Sequence, residues 1–550
     1  MQSVPKYGRI QITVPNGCKT VSVTRPDGVK ETALPFRCQN TRFVYDKHGF
    51  ESQEIVGDAF TCFRYTPLIE GVHRFSAQGE GGVHGGIFEC EPSDISGYVE
   101  ISGKDRRYFA TSDGHAFVPV GPNLCLLRPE QRPASDAHFA IGNGTAWMGL
   151  TTYRRWIRRL AENNVNYVRL WLSSPYFDAR TSLMGRHDLT VFNRLDAVMA
   201  LLRESGIRVK MCLEHFRTLC DAPKGIFEKR VIDPDTGKAL DSVQEWLDSE
   251  KWNERWIEDV LPYIARYQND PTVAAWELWN EFNCVDAPRA SILAFNERML
   301  NRIHALSPRN LAVNSLGSYD REEFLGDYMI PFRDSSAMPF MQIHRYLDQG
   351  APLEICGGDP VDFVADAFER VACAEKPCVL NETGAVNDRH IGPFRFYPCD
   401  DDGLIFTDLT YAPFFCGAAA SGHMWHWEHY IEPKNLWTMF RPFSDMLEGI
   451  EVDEEHFAPG RADTDEAHVL TLAGEKHDLY YVRSRAASWQ AVLRDGLTPA
   501  PVRGLRLPVN GRVTVYWLMN ERHETAPEVA DGFVTLPDFS RGCIVRVDRD

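Results

Sequence analysis

Over residues 1 to about 103, polar and apolar positions alternate in short runs, as in Arg9-Ile-Gln-Ile-Thr-Val14, Thr20-Val-Ser-Val-Thr24 and Phe60-Thr-Cys-Phe-Arg-Tyr65. A period of two, broken by turn signals such as Pro26-Asp-Gly28, predicts an antiparallel β-sandwich. The glycine run Gly79-Glu-Gly-Gly-Val-His-Gly-Gly86 reads as a hairpin. A phosphate loop would need a following Lys-Ser/Thr and a helix pattern, and neither is present.

From about 104 to 450 the pattern changes to short apolar strands separated by longer amphipathic segments, the mark of repeated β-α units around a parallel sheet. The strands read as Phe117-Val-Pro-Val120, Tyr167-Val-Arg-Leu-Trp171, Arg208-Val-Lys-Met-Cys-Leu213, Val273-Ala-Ala-Trp-Glu-Leu-Trp279, Asn310-Leu-Ala-Val-Asn314, Phe340-Met-Gln-Ile-His344, Cys378-Val-Leu-Asn381 and Gly422-His-Met-Trp425. Helix patterns between them cover Tyr153 to Glu162, Arg194 to Glu204, Ile292 to His304 and Pro360 to Cys373, the last with Asp359 as N-cap. Eight strands over this length predict an α/β fold of the (β/α)8 TIM-barrel type. Beyond about 451 short alternating strands return, in Asp478-Leu-Tyr-Tyr-Val482 and in Arg512-Val-Thr-Val-Tyr516, which follows an Asn510-Gly511 hairpin turn. The expected organisation is a β-sandwich over 1–103, a barrel over 104–450 and a second, smaller β-sandwich over 451–550.

Composition narrows the partners. A net charge of −18, from 59 basic and 77 acidic residues, disfavours nucleic acid and anionic membranes. The N-terminal run lacks the apolar core of a signal peptide and no stretch has about 18 consecutive apolar residues, so the expected location is cytoplasmic. The 14 cysteines are scattered from Cys18 to Cys543 without a C-x-x-C pair, which predicts reduced, packed thiols. Cys373 and Cys378 lack companions for zinc, and no metal or other cofactor is expected.

Chemistry in such a barrel sits at the carboxyl ends of the strands. Strand four ends Trp279-Asn-Glu281 and strand seven ends Asn381-Glu-Thr-Gly384. Strands three apart in a ring of eight end on opposite sides of the mouth, so Glu281 and Glu382 could meet across it. A close carboxylate pair suits glycosidic cleavage, one member protonating the leaving oxygen and the other attacking the anomeric carbon. Arg169, inside the apolar strand two, would lower the pKa of the nucleophile and keep it ionised. His344 and Tyr346 share a parity and suit positioning of the nucleophile or a sugar hydroxyl. His215 ends strand three, and Asn280 could donate to the sugar 2-hydroxyl. Trp425 and Trp427 offer flat faces for sugar C–H groups.

Together, Trp279-Asn-Glu281, Asn381-Glu-Thr-Gly384 101 residues later measured between the two glutamates, Arg169, the His344/Tyr346 pair and the strand-eight tryptophans resemble clan A of the retaining glycoside hydrolases, most nearly family 5 with its cellulases and mannanases. The segments Phe63 to His73 and Tyr108 to Asn123 are similar to the β-sandwich that precedes some clan A barrels, which implies that Asn123 lines the sugar pocket. The resemblance implies double displacement, with Glu382 as nucleophile and Glu281 as general acid/base, its pKa raised by Trp276, Trp279 and the charge of Glu382. Two departures stand out: strand three ends Glu-His-Phe instead of aliphatic-Asp/Asn-His, and strand eight is rich in histidine.

The expected substrates are β-linked, gluco- or manno-configured oligosaccharides attacked from the chain end. Two other readings compete. His423, His426 and His429 suggest a metal-dependent barrel hydrolase, although a spacing of three matches neither a helical zinc motif nor a strand face. A non-catalytic carbohydrate-binding protein is the other, since folds do not fix function. The flanking β-domains would serve to close the cleft or to form a homo-oligomer interface.

Overall fold

The computed structural model describes residues 1–79, 82–127, 148–180, 187–215, 235–237, 242–390, 392–518 and 524–549. Near the N-terminus, the strands Gln2–Pro5, Gly82–Glu91, Gly71–Gly79, Val21–Thr24 and Lys30–Ala33 form one sheet, and Ile10–Val14, Phe60–Tyr65 and Phe36–Cys38 form another. Val4, Ile12, Val23, Phe63, Phe75 and Phe88 form their shared core. The pairing is antiparallel except where Gln2–Pro5 joins Gly82–Glu91 in parallel. The glycine run is a hairpin, with Gly79 paired to Gly82; residues 80 and 81 lie outside the described residues.

A second hairpin, Thr41–Tyr45 with Glu51–Ile55, ties this region to the central one. The Glu51 carboxylate accepts the Leu150 N–H (2.7 Å) in the first turn of the helix Leu150–Ala161 and the Tyr176 hydroxyl (2.8 Å).

The central region is the expected barrel. Tyr167–Trp171, Arg208–His215, Val273–Asn280 and Leu311–Val313 run parallel, as do Met341–Leu347 and Cys378–Ala385. Hydrogen bonds outside the regular ladders close the remaining gaps. Tyr319 N–H donates to His344 O (2.8 Å), His423 N–H to Leu380 O (2.9 Å), Asn123 N–H to Met424 O (3.0 Å) and Leu124 N–H to Arg169 O (2.9 Å). The ring therefore has eight members, and its first and eighth are irregular.

The first differs from the sequence reading. Ala116–Phe117 belongs to a small antiparallel sheet with Val99–Ile101 and Phe109–Thr111, which spans the expected boundary at 103–104. The barrel segment is the stretch after it, around Val120 to Cys125. The eighth lies where expected, at 422–425, but meets its neighbours through isolated contacts.

Beyond 451, a six-stranded sheet of Ala458–Arg461, Ala467–Ala473, His477–Ser484, Gly542–Asp548, Arg512–Trp517 and Glu524–Thr525 packs with a three-stranded one, Arg506–Pro508, Phe533–Thr535 and Val529–Ala530. Asn510-Gly511 is not a hairpin turn. Arg506–Pro508 pairs with Phe533–Thr535, whereas Arg512–Trp517 pairs with Gly542–Asp548, so the turn hands the chain from one sheet to the other. Among the described residues no helix is long and apolar enough to cross a membrane.

Candidate active site

At the carboxyl ends of the barrel strands lies a cleft of about 1020 Å³, lined by Trp171, Asn280, Glu281, Tyr346, Glu382, Trp425 and His426 and by residues of the segments that follow the strands, which include Asn283, Cys284, Asp320, Phe324, Tyr328, Asp348 and His390. Asn280 is the last residue of its strand, and Glu281 turns out of it in the left-handed region (φ 53°), a conformation uncommon for a residue with a side chain. Ser315 holds that turn: its hydroxyl accepts the Glu281 N–H (3.1 Å) and its carbonyl the Phe282 N–H (3.0 Å).

Glu281, His344 and Glu382 converge, each offering a side-chain atom within 4.8 Å of the others. Glu382 Oε2 accepts from Arg169 Nη1 (2.7 Å) and Oε1 from the Tyr346 hydroxyl (2.5 Å). His344 Nδ1 lies 3.1 Å from Glu281 Oε1 and 3.6 Å from Glu382 Oε2. Burial pushes the Glu382 carboxyl above its ordinary range, and the Arg169 guanidinium and the Tyr346 hydroxyl pull against it without reversing it. The expectation that Arg169 would bring this pKa down is therefore corrected: the pull exists, but desolvation outweighs it. Burial, then Arg169 and Lys210, holds His344 well below the usual imidazole range, so it is neutral near pH 7.

The other expected residues divide into two groups. Asn280, Tyr346 and Trp425 line the cleft, and Trp425 lies against Trp171 with ring centres 5.1 Å apart. Arg169, Asn123, His215, His344 and Trp427 do not line it among the described residues. Arg169 and Asn123 are fully buried, and Asn123 Oδ1 accepts from Arg169 Nη1 (3.2 Å), so both support the site from within the barrel and neither is placed to meet a sugar. His215 stacks on Trp171 (5.2 Å, 11°) and hydrogen-bonds the Ser173 hydroxyl (2.7 Å). Trp427 is also corrected. His426 takes a left-handed conformation (φ 56°) that ends the strand, and Trp427 turns into the core with its edge against Trp156.

Sequence reasoning missed the charges beneath the cleft. Glu277 takes Arg169 in a two-pronged ion pair (2.7 and 2.8 Å), and Lys210 lies 3.4 Å from the same carboxylate while also donating to Gln342 Oε1 and Asn381 Oδ1. Glu277, Gln342 and Asn381 are all buried, as are Arg169 and Lys210 themselves. The available signal was a single charge inside an otherwise apolar strand, present in Arg208-Val-Lys210 and in Ala275-Trp-Glu277.

Glu281, His344 and Glu382 are also the kind of set that can hold a metal ion, as are Asp320, Asp348 and His390 at the rim. In the first set Glu382 is already taken by Arg169 and Tyr346 and His344 by Asn381, which favours a carboxylate pair over an ion. His423, His426 and His429 do not gather into such a set; His423 is buried flat against Tyr167 (4.5 Å).

A family model described as cellulase, glycosyl hydrolase family 5, matches residues 133–409, half of the chain. The chain belongs to glycosyl hydrolase family 5. Among curated relatives, this family 5 chain is 26% identical over 213 residues to mannan endo-1,4-beta-mannosidase 4 of Oryza sativa subsp. japonica, covering 35% of the chain and 46% of the relative. It is 27% identical over 243 residues to mannan endo-1,4-beta-mannosidase 2 of the same plant, covering 40% and 48%. The chain thus spans about half the length of the curated relatives it matches. A crystal structure from Bacteroides vulgatus, provisionally described as a glycoside hydrolase, superposes over all of both chains at a TM-score of 0.58 and 14% identity, a likeness of fold alone.

Proposed function

We propose that this family 5 chain is a retaining glycoside hydrolase that cleaves β-linked oligosaccharides by double displacement. The observation that carries the reading is the approach of a Glu281 and a Glu382 carboxylate oxygen to within 4.8 Å. Retaining enzymes hold their carboxyl groups about 5–5.5 Å apart, whereas inverting ones need about 6.5–9.5 Å for the intervening water.

Glu382 is the nucleophile. Arg169 and Tyr346 occupy one lone pair on each of its oxygens, fixing the carboxylate plane beneath the anomeric carbon and stabilising its charge. Glu281 protonates the departing oxygen and then, as a carboxylate, takes a proton from the water that releases the sugar. Asn280, with its Oδ1 engaged by Arg169 Nη2 (2.6 Å), has its amide N–H groups to offer to the sugar 2-hydroxyl. Trp425 provides the flat wall for the bound ring.

A gluco- or manno-configured substrate is supported by the cellulase description of the family model and by the mannan named for the two rice relatives. Attack from the chain end is part of the same proposal, tested by whether monosaccharides accumulate first from a labelled oligosaccharide. Glu382→Ala should lose turnover on nitrophenyl glycosides. Glu281→Ala should keep activity on dinitrophenyl glycosides and be accelerated by azide. Near-normal hydrolysis by the Glu382 variant would sink the assignment.

A further inference from the structure

The buried polar layer under the catalytic carboxylates has a direction of hydrogen bonding that can be worked out from donor counts. The Lys210 ammonium has three hydrogens and no acceptor, and three oxygens surround it: Gln342 Oε1, Asn381 Oδ1 and Glu277 Oε2. Gln342 is held in that orientation from its other end, where its amide N–H donates to Asn314 O (3.0 Å). With its Oδ1 committed to Lys210, Asn381 can present only its amide N–H to His344 Nε2, 2.8 Å away. A nitrogen that accepts carries no proton, so the neutral ring must carry its proton on Nδ1. That nitrogen faces Glu281 Oε1 (3.1 Å) and Glu382 Oε2 (3.6 Å).

We propose that Lys210 is a positioning residue for the acid/base: acting through Asn381, it locks His344 in the Nδ1–H tautomer, so that His344 can donate to Glu281 but can never accept from it. The proposal rests on Glu281 being the acid/base.

The lock matters when Glu281 is protonated. An imidazole free to switch would move its proton to Nε2, donate there to a flipped Asn381, and accept the Glu281 O–H at Nδ1. The acid proton would then be held by the protein and withheld from the leaving oxygen. With the ammonium in place, the flip would turn an amide N–H toward Lys210, two donors facing each other in a buried site. Among the described residues, Glu281 is faced by His344, Glu382 and the Tyr346 hydroxyl, and Lys210 by Glu277, Arg169, Cys212, Cys125, His344 and His423.

Lys210→Met removes the donor and keeps the length. In this variant the alkaline limb of kcat/KM should move up by about one pH unit, because the protonated form of Glu281 gains an acceptor. At neutral pH kcat/KM on an unactivated oligosaccharide should fall about tenfold, while a dinitrophenyl glycoside, whose leaving group needs little protonation, should change by less than about threefold.

Loss of the positive charge alone would also raise the pKa of Glu281. The double variant Lys210→Met/Asn381→Leu separates the two causes. Without an acceptor for Nε2–H the ring returns to Nδ1–H, and the alkaline limb should return toward its wild-type position, whereas a simple charge effect would persist. Nitrogen-15 spectra, with the His344 signals assigned by comparison with His344→Gln, should show Nε2 unprotonated in the wild type. A proton on Nε2 in the wild type, an unmoved limb in Lys210→Met, or a shift that survives in the double variant would each overturn the proposal. If Lys210→Met does not fold, the wild-type tautomer decides alone. A wild type inactive on every glycoside would remove the reading of Glu281, while the tautomer measurement would still report on the lock.

Discussion

Replacing Glu277 by Gln keeps the shape of a fully buried side chain and removes one charge from a balanced set, Arg169 and Lys210 against Glu277 and Glu382. Two effects of different kind follow. Arg169 loses its two-pronged partner, and breaking a buried ion pair from one side costs about 3–5 kcal/mol of stability. Burial pushes the Glu277 carboxyl up, but Arg169 and Lys210 outweigh it, so its net pKa is lowered. A lowered folded pKa contributes stability above the unfolded carboxylate value, and that contribution is lost as pH falls, so the stability gap between wild type and variant should narrow toward acid.

The second effect acts on the nucleophile. Glu277 and Glu382 bind the same guanidinium, and the charge of Glu277 is one cause of the raised pKa of Glu382. Two like charges roughly 6 Å apart at an effective dielectric of about 20 repel by about 3 kcal/mol, or about two pH units. The acid limb of kcat/KM, which reports the free nucleophile, should therefore move down by up to about two units in Glu277→Gln. It is best read with an activated aryl glycoside beside urea unfolding of the same samples. Arg169→Met should move the limb the opposite way. An acid limb that rises in Glu277→Gln would mean that displacement of Arg169 dominates, and the electrostatic account would fail.

Asp259 is buried, one of its carboxylate oxygens has no hydrogen-bond partner among the described residues, and burial pushes its pKa up to about 8. The folded state then keeps a proton that the unfolded state has lost, so stability falls as pH rises from about 4 to 8, by about 1.4 kcal/mol per unit. Asp259→Asn should unfold at a higher temperature than wild type by a margin that widens from pH 5 to pH 8; a constant margin would refute the assignment. The two strand-eight tryptophans should separate cleanly: Trp427→Ala should cost about 3–5 kcal/mol of stability as a core truncation, whereas Trp425→Ala should chiefly raise KM. Equal effects on KM from both would contradict the positions assigned to them.

Periodicity made the regular parts of the barrel legible, because strands buried on both faces read as apolar runs and the helices between them as amphipathic ones. It misplaced the first strand, and both irregular members join the ring outside the regular ladders. At Gly121 an added Cβ would lie 1.8 Å from Tyr167 O, and at Gly422 1.8 Å from Leu409 O, so backbone passes backbone at both positions and no side-chain alternation records it. Asn510-Gly511 announces a turn correctly as local chemistry, but which sheet receives the next strand depends on Gly542–Asp548, far along the chain.

The same division runs through the site. Glu281 and Glu382 were readable because each is a charge at or near a strand end in a fold whose chemistry is known to gather there, and Arg169 because it is a charge inside an apolar strand. Trp427 does not join Trp425 in the cleft because the backbone turns left-handed at His426 between them, which two tryptophans two residues apart do not disclose. Glu277 and Asn280 show the limit from the other side: they are three positions apart and of opposite parity, yet both reach Arg169. Alternation therefore does not survive to the end of the fourth strand, and no pattern rule would have placed them together. Lys210 is further still from sequence logic, since its meaning lies in Gln342 and Asn381, brought to it only when the barrel closes. A charge buried in an apolar strand has to be neutralised or hydrogen-bonded by something. Here those partners are the residues that orient the carboxylates above them, so the requirement that lets Lys210 sit in the core also makes it part of the active site.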